Sequence, residues 1–331
     1  MSAMVNLSSK MVFIVGPHKS GTTLLLRLLN GHKSIFTIPF ETHIAESLGY
    51  WQSYRGRTNL FSDLEFNDKI TRFIDHFEYA VMTPSQFNNG KSMENLFDLN
   101  HFKEIMNSIP EVDDKELVHS YLEAIITSYH QAFDHDFVVE KSVTHDEFVP
   151  FLSQIFPDAK FIRILRNPYA NLVSFRRYIS DGRFPLLKKP LLAIKDATNY
   201  LFRNKRLLGA RYKVVKYENL LESPEITLQS LATFIGISYD PIMLKPTFNQ
   251  EIWEGNSSRE MKFSKISSEN LYLWKEDITE IEKRLVTKHL DKFLDYYNYN
   301  IEPYSSFRSL LPVWREGLVT WFLNRSLLQL N

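Results

Sequence analysis

The stretch Met11–Asn30, MVFIVGPHKSGTTLLLRLLN, decides how the rest of this 331-residue chain is read. Met11–Val15 is a short apolar, β-branched run, the pattern of a strand buried on both faces. Gly16-Pro17-His18-Lys19-Ser20-Gly21 cannot continue that strand and predicts a tight loop. From Thr22 onward, Leu24, Leu25, Leu28 and Leu29 recur at helical spacing, which predicts a buried helix. A strand, a glycine-bearing loop and a helix in that order aim backbone N–H groups and a helix N-terminus at one point, and that point attracts an anion, most naturally a phosphate. The P-loop of nucleotide triphosphatases places lysine directly after its second glycine. Here Thr22 stands in that position and the lysine, Lys19, lies inside the loop, so the cradle is kept while the triphosphate grip is not. An ordinary strand-to-helix turn with a surface lysine is the competing reading of these residues alone.

Composition narrows the classes. The chain is long enough for one large α/β domain or two smaller ones, and 44% hydrophobic with 24% charged residues is ordinary for a globular protein. Lys+Arg and Asp+Glu both number 39, so no global field favours nucleic acid or an anionic membrane, and any basic function is local. Cysteine is absent, which removes disulfides, thiol catalysis and thiolate metal sites. The N-terminus MSAMVNLSSK carries no charged n-region followed by an apolar h-region, and no run reaches the length of a membrane span. A soluble, cytoplasmic protein is the expectation.

Outward from the first corner, Ile35–Pro39 reads as a second strand beside the first, delivering Glu41-Thr42-His43 to its far end, where open α/β sheets place ligand-contacting groups. Glu41 is the candidate catalytic base, against the alternative of a carboxylate at a helix start; His43 is a second candidate, or a group that orients its neighbour. Gly49 to about Asp134 has no strand pattern and many aromatics. Helical periodicity over Asp68–Ala80 and Lys115–Phe133 predicts an all-helical insertion, a lid or acceptor pocket that Tyr50, Trp51 and Tyr54 either line or pack behind. Phe137–Glu140 is the third strand, followed at once by Lys141-Ser142, and Asp146 is expected to cap a helix ending before Pro157.

Lys160–Leu165 is the fourth strand. It feeds Arg166-Asn167-Pro168, with Pro168 suited to the first helical turn. Arg166 at the strand exit and Ser174 two turns on can converge on one phosphate, the arginine as a bidentate fork, and Arg176, Arg177 and Arg183 make that corner locally basic. Lys213–Tyr217 is the fifth strand, its Tyr217 placed to contact an adenine; the helix from about Pro224 to Phe234 stops at Gly236. Glu251–Lys275 is polar, serine-rich and read as a mobile loop near the site, with further helices from Trp274 to about Tyr297. Ser309–Leu330 is amphipathic; docking on the protein's own core is the preferred reading, and a membrane surface, a partner subunit or a hydrophobic acceptor are the others.

Three separated motifs together resemble the sulfotransferases that use 3′-phosphoadenosine 5′-phosphosulfate (PAPS). GPHKSGTT resembles their 5′-phosphosulfate loop, and Arg166-Asn167-Pro168 with Ser174 resembles their 3′-phosphate motif. Glu41-Thr42-His43 and Glu140-Lys141-Ser142 look like the segments carrying the base and an active-site lysine in heparan sulfate O-sulfotransferases. The KYENLLESPE stretch is similar to one in tyrosylprotein and many bacterial sulfotransferases. The resemblance covers about Met11–Gly236 and implies an α/β fold: a P-loop-like parallel sheet of about five strands flanked by helices, in a single domain over residues 1–331, with the helical insertion at about 49–134 and a helical segment at about 305–331. It implies PAPS as donor, PAP as product and no metal. Lys19, Ser20, Gly21, Thr22 and Thr23 would hold the 5′ end, Arg166 and Ser174 the 3′-phosphate and Tyr217 the base, with Lys19, Glu41, Lys141 and His43 the catalytic candidates. Aryl and steroid sulfotransferases carry a histidine two residues after the matching lysine; position 143 here is valine and the nearest histidine is His145, which favours Glu41. Their C-terminal RKG clamp is also missing, leaving Asn256, Ser257 and Lys265 as candidates for that work.

The expected reaction is in-line transfer of a sulfonate to a hydroxyl or amine of a small-molecule acceptor such as a specialised metabolite; an oligosaccharide, a lipid-linked group and a peptide tyrosine stay open, as does the oligomeric state. A P-loop small-molecule kinase using ATP and Mg²⁺ is the rival enzyme class. A nucleotide-sensing or glycan-binding protein that kept the cradle is the rival without catalysis.

Overall fold

The computed structural model describes residues 7, 9–50, 64–131, 134–256, 262–263 and 265–329. Met11–Val15 (β1), Ile35–Thr37 (β2), Phe137–Lys141 (β3), Lys160–Leu165 (β4) and Tyr212–Lys216 (β5) form one parallel sheet in the order β2-β3-β1-β4-β5. All five residues of β1 are buried because the strand is central and covered on both faces. Its side chains alternate: Met11, Phe13 and Val15 enter one core with Phe36, Phe156 and Phe161, while Val12 and Ile14 enter another with Leu25, Leu28 and Leu231.

The second strand does not lie beside the first, as its sequence position led one to expect; β2 pairs only with β3, Thr37 opposite Val139. The reason is the connection. Parallel neighbours need a long crossover, and the helical insertion supplies one that returns the chain between β1 and β2.

The helices α1 (Thr22–Leu29), α2 (Ile44–Ser47), α3 (Phe66–Met82), α4 (Leu99–Ser108) and α5 (Asp114–Thr127) come before β3; α6 (His145–Ile155), α7 (Pro168–Ile179) and α8 (Lys188–Leu208) before β5; and α9 (Tyr217–Glu222) and α10 (Pro224–Ile235) after it. Gly236 closes α10 with φ 94°, the left-handed stop its sequence position foretold. The insertion adds its aromatics to the Phe13 side of the sheet's core: Phe73, Phe77, Phe102 and Tyr121 are fully buried, and the Phe77 and Phe102 rings stack with centroids 3.7 Å apart. Tyr50 packs behind the site on Phe151 and donates to Asp114 (3.1 Å), while Trp51 and Tyr54 lie outside the described residues. α4 was not read from the sequence because Phe102 and Met106 are its only buried side chains. The helix expected to run to Phe133 stops at Thr127, where the Thr127 and Ser128 hydroxyls turn back onto the carbonyls of Glu123 and Ile125.

Past α10, Thr247–Phe248 (β6) and Glu251–Ile252 (β7) make a small antiparallel hairpin turned by Asn249 and Gln250, both at positive φ. β7 therefore opens the segment expected to be loop. The helices α11 (Trp274–Asp277), α12 (Glu280–Tyr296) and α13 (Leu318–Ser326) complete the chain. No helix among the described residues is long and apolar enough to cross a membrane.

Asp146 is not the cap of α6. Thr144 holds that position, and the Asp146 carboxylate turns inward to Arg163 of β4, Oδ2 to Nε 3.1 Å. An arginine in the middle of a buried strand requires a counter-charge, and Asp146 supplies it. Asp146→Ala should therefore cost about 3–5 kcal/mol by stranding the cation. Urea unfolding checks this, and a loss under ~1 kcal/mol would mean that the pair carries no such weight.

Candidate active site

Parallel strands with matched register present their C-terminal ends at one edge, and here that edge collects the chemistry. After β1 the chain turns through Ser20 N–H to Pro17 C=O (3.2 Å) and enters α1 over Gly21 at φ 105°. The left-handed backbone alone favours glycine. A Cβ at Gly21 would also stand 2.3 Å from Cδ2 of Tyr217, so the loop lies directly under that ring. The first turn of α1 holds no acid and no side-chain cap, which leaves the amides of Thr22 and Thr23 facing outward. Ser20 is buried, its hydroxyl without a partner among the described residues. Lys19, at φ 63°, reaches the carbonyl of Asn256 (3.0 Å) and lies 5.1 Å from the Tyr178 ring centroid. Burial, then the nearby Arg166 and Lys141 cations, lower its pKa to about 8.

The β4–α7 corner grips this loop. Arg166 donates to the Lys19 carbonyl at 2.7 Å, and Asn171 Nδ2 to the His18 carbonyl at 2.7 Å. The Arg166 guanidinium lies over the Tyr217 ring, 4.7 Å from its centroid, and its buried Nε has no partner among the described residues. The basic patch expected beside it is largely neutralised: Arg176 pairs with Glu282 and Arg177 with Asp277, each at 2.6 Å. Both acids belong to C-terminal helices, which sequence proximity does not reveal.

On the other flank of β1, Lys141 ends β3 and forms an ion pair with Glu41, its ammonium 4.9 Å from the Phe87 ring centroid. His43 stands behind Glu41, Nε2 at 3.4 Å from Glu41 Oε2 and Nδ1 at 3.3 Å from Glu46 Oε1. Burial would pull the imidazole down, yet the two carboxylates outweigh it and raise His43 to about 10. Burial would likewise raise Glu41, but Lys141 and then His43 hold it well below the usual carboxylate range. The fully buried Glu140 points to the opposite side of β3, accepting from the Thr42 hydroxyl (2.8 Å), the Ser142 hydroxyl (2.6 Å) and, at Oε2, His145 Nδ1 (3.0 Å). That network ties the Glu41 loop to the Lys141 loop, and it places His145 in the core.

One cavity of about 580 Å³ unites both flanks. Lys19, Gly21, Thr22 and Thr23 form its floor with Arg166, Ser174 and Tyr217 on one side and Glu41 and Lys141 on the other; Asn256 and Lys265 also line it. Ser20 and His43 do not reach its wall, and Ser257 lies outside the described residues. Sequence reading missed Gln86, Phe87, Trp253 and Tyr178, which line the same space. Gln86–Asn88 is a short 3-10 turn without periodicity, brought in by Trp253 Nε1 donating to the Gln86 carbonyl (3.1 Å) and by Arg27 donating to the Phe87 carbonyl (2.7 Å).

A sequence model of the Sulfotransferase family matches residues 11–241, and the chain belongs to that family. It is 23% identical over 299 residues to nodulation protein NoeE of Sinorhizobium fredii, a match covering 83% of this chain and 62% of that protein's length. Its backbone is similar to the sulfotransferase domain from the curacin biosynthetic pathway (TM-score 0.49, 18% identity, 96% of this chain and 97% of that one). It is also similar to mouse sulfotransferase SULT7A1 complexed with PAP (TM-score 0.43, 13% identity, 87% and 85%).

The charged state of His43 has a measurable sign. Its folded pKa, about 10, lies above the unfolded value, so its contribution is complete below pH ~6.5 and is lost as pH rises through about 10. Thermal unfolding of the native chain and of His43→Gln should differ at about pH 6 and converge at about pH 10.5; a gap independent of pH would mean that the imidazole is neutral.

Proposed function

We propose that the protein transfers a sulfonate group from PAPS to a hydroxyl, or an amine, of a small-molecule acceptor. The observation that carries this reading is that a single cavity unites the Lys19 loop and Arg166–Ser174 with the Glu41–Lys141 pair. The donor set fits a nucleotide charged at both ends. Outward amides at the start of α1 and the Lys19 ammonium suit a 5′-phosphosulfate, and Arg166 with Ser174, lining the same cavity, suits a second phosphate. The Tyr217 ring, covered by Gly21 and by the Arg166 guanidinium, lines the same cavity and would meet the adenine at its edge.

In this reading the sulfur–oxygen bond to the 5′-phosphate breaks as the bond to the acceptor oxygen forms. Lys19 and the Thr22–Thr23 amides neutralise charge on the departing phosphate oxygen, the kind of contact whose loss costs about 3–4 kcal/mol. The acceptor proton passes to Glu41. Paired with Lys141, Glu41 is ionised but weakly basic; when Lys141 turns to the sulfonate oxygens, the carboxylate loses its largest lowering influence and its proton affinity rises. His43 keeps the carboxylate oriented.

Two substitutions test the assignment. Arg166→Ala frees the Lys19 loop and so weakens PAP and AMP alike, but PAP should lose about 10- to 100-fold more than AMP, the worth of a hydrogen bond to a charged group. Equal weakening of both refutes the 3′-phosphate role, and tight ATP–Mg²⁺ binding without PAP binding refutes the donor. Glu41→Gln should retain PAP binding and lose at least ~100-fold in transfer of labelled sulfonate from PAPS; unchanged turnover removes Glu41 as base.

A further inference from the structure

α13 is built inside out. Leu318, Val319, Phe322 and Leu323 occupy one arc of the helix and face solvent, with Leu318 80% and Phe322 64% exposed. Its polar side chains turn inward. Asn324 accepts from the Leu187 amide (2.8 Å) and donates to Pro185 C=O (3.2 Å) and Glu316 (2.8 Å), while Arg325 pairs with Glu316 at 2.6 Å. The strap before the helix repeats the pattern. Trp314 is 83% exposed and Phe307 72%, with Leu310 and Leu311 also exposed, while the strap's backbone is held to α13 by Trp321 Nε1 donating to Leu310 C=O (2.8 Å) and by Arg325 to Leu311 C=O. A polar interior fixes a rigid, outward apolar face, the reverse of what water selects.

We propose that this face, residues 307–323, docks on the surface of an anionic phospholipid bilayer. The charges decide the occupant. Arg308 and Arg315 are the exposed charged residues of the 304–329 segment, and its one acid, Glu316, is buried against Arg325. Arg315 sits 5.9 Å from the centroid of the exposed Trp314 ring, an amphipathic pair suited to the headgroup layer. Neighbouring elements add Arg183 and Asp181 beside Arg315, and near Arg308 they add Arg284 with Glu280, itself paired to Lys283, so the rim is cationic on balance. Such an apolar face complements acyl chains beneath anionic headgroups, entered to a depth of about 5–10 Å. A second copy of the chain is a poor fit: a two-fold contact would bring this face against itself, with cations outnumbering the acids that could meet them. The helix lies along the membrane and does not span it, since nine residues are too few. This inference is independent of the donor and acceptor assignment.

Co-sedimentation of the full chain with vesicles tests it. Binding should be seen with phosphatidylcholine containing about a third phosphatidylglycerol, should be several-fold weaker with phosphatidylcholine alone, and should fall in half-molar salt. Leu318→Ser with Phe322→Ser should lower binding at least ~10-fold at unchanged far-UV circular dichroism, and Trp314→Ser, outside the helix, should lower it without touching helical packing. Arg308→Glu should erase the preference for phosphatidylglycerol. Failure of the native chain to bind these vesicles, or binding unchanged in both apolar variants, overturns the proposal. So does a dimer in sedimentation velocity that the same variants dissociate while no vesicle binding occurs.

Discussion

Arg166 reaching the backbone carbonyl of Lys19 is the contact on which the rest of the site depends. It joins the exit of β4 to the loop after β1, and Asn171, from the helix that β4 feeds, adds a second bond to the same loop at His18. Both contacts follow from β1 and β4 being parallel neighbours with Ile14 opposite Ile162 and Val15 opposite Arg163. Strands so registered must release their chains side by side at one end. A loop with positive φ at Gly16, Lys19 and Gly21 would otherwise sample many shapes; fastened at two carbonyls, it presents its amides in one direction.

The same geometry on the other flank sets the opposing half of the cavity. Ile14 lies opposite Lys141 in β3, and β3 carries β2 on its far side, so the Glu41 loop and Lys141 emerge next to the anion loop. The sheet order then distributes the chemistry across its edge: an acid–lysine pair from β2 and β3, an anion cradle from β1, an arginine from β4 and an aromatic ring from β5.

Electrostatics inside the cavity are tightly compensated despite a neutral chain. Lys19 carries a reduced proton affinity because burial and two neighbouring cations press on it. Glu41 is the mirror case, held ionised between Lys141 and a protonated His43. A carboxylate so clamped is pre-oriented but weakly basic. Its proton affinity is therefore coupled to where Lys141 points.

Local sequence determined the first corner outright: a buried apolar run, glycines where φ is positive and a leucine-spaced helix leave little other choice, and the same holds for the β4 exit with Pro168 at the helix start. It also placed Lys141 and Arg166 at strand ends, Glu41 just beyond one and Ser174 in the helix that follows another, because strand boundaries are written in short-range hydropathy. Only the tertiary structure decided which strands are neighbours, since strand order depends on how crossovers pack and not on their order in the chain. That is why β2 lies beside β3, and why Asp146 serves Arg163 instead of capping a helix. It also decided that Glu282 and Asp277 neutralise the basic corner and that Phe87 and Trp253 reach the cavity, for these partners lie some 100 residues or more apart in the chain and no periodicity connects them. The inward polar face of α13 belongs to the same class. An amphipathic pattern specifies two faces, and only packing determines which one meets the protein.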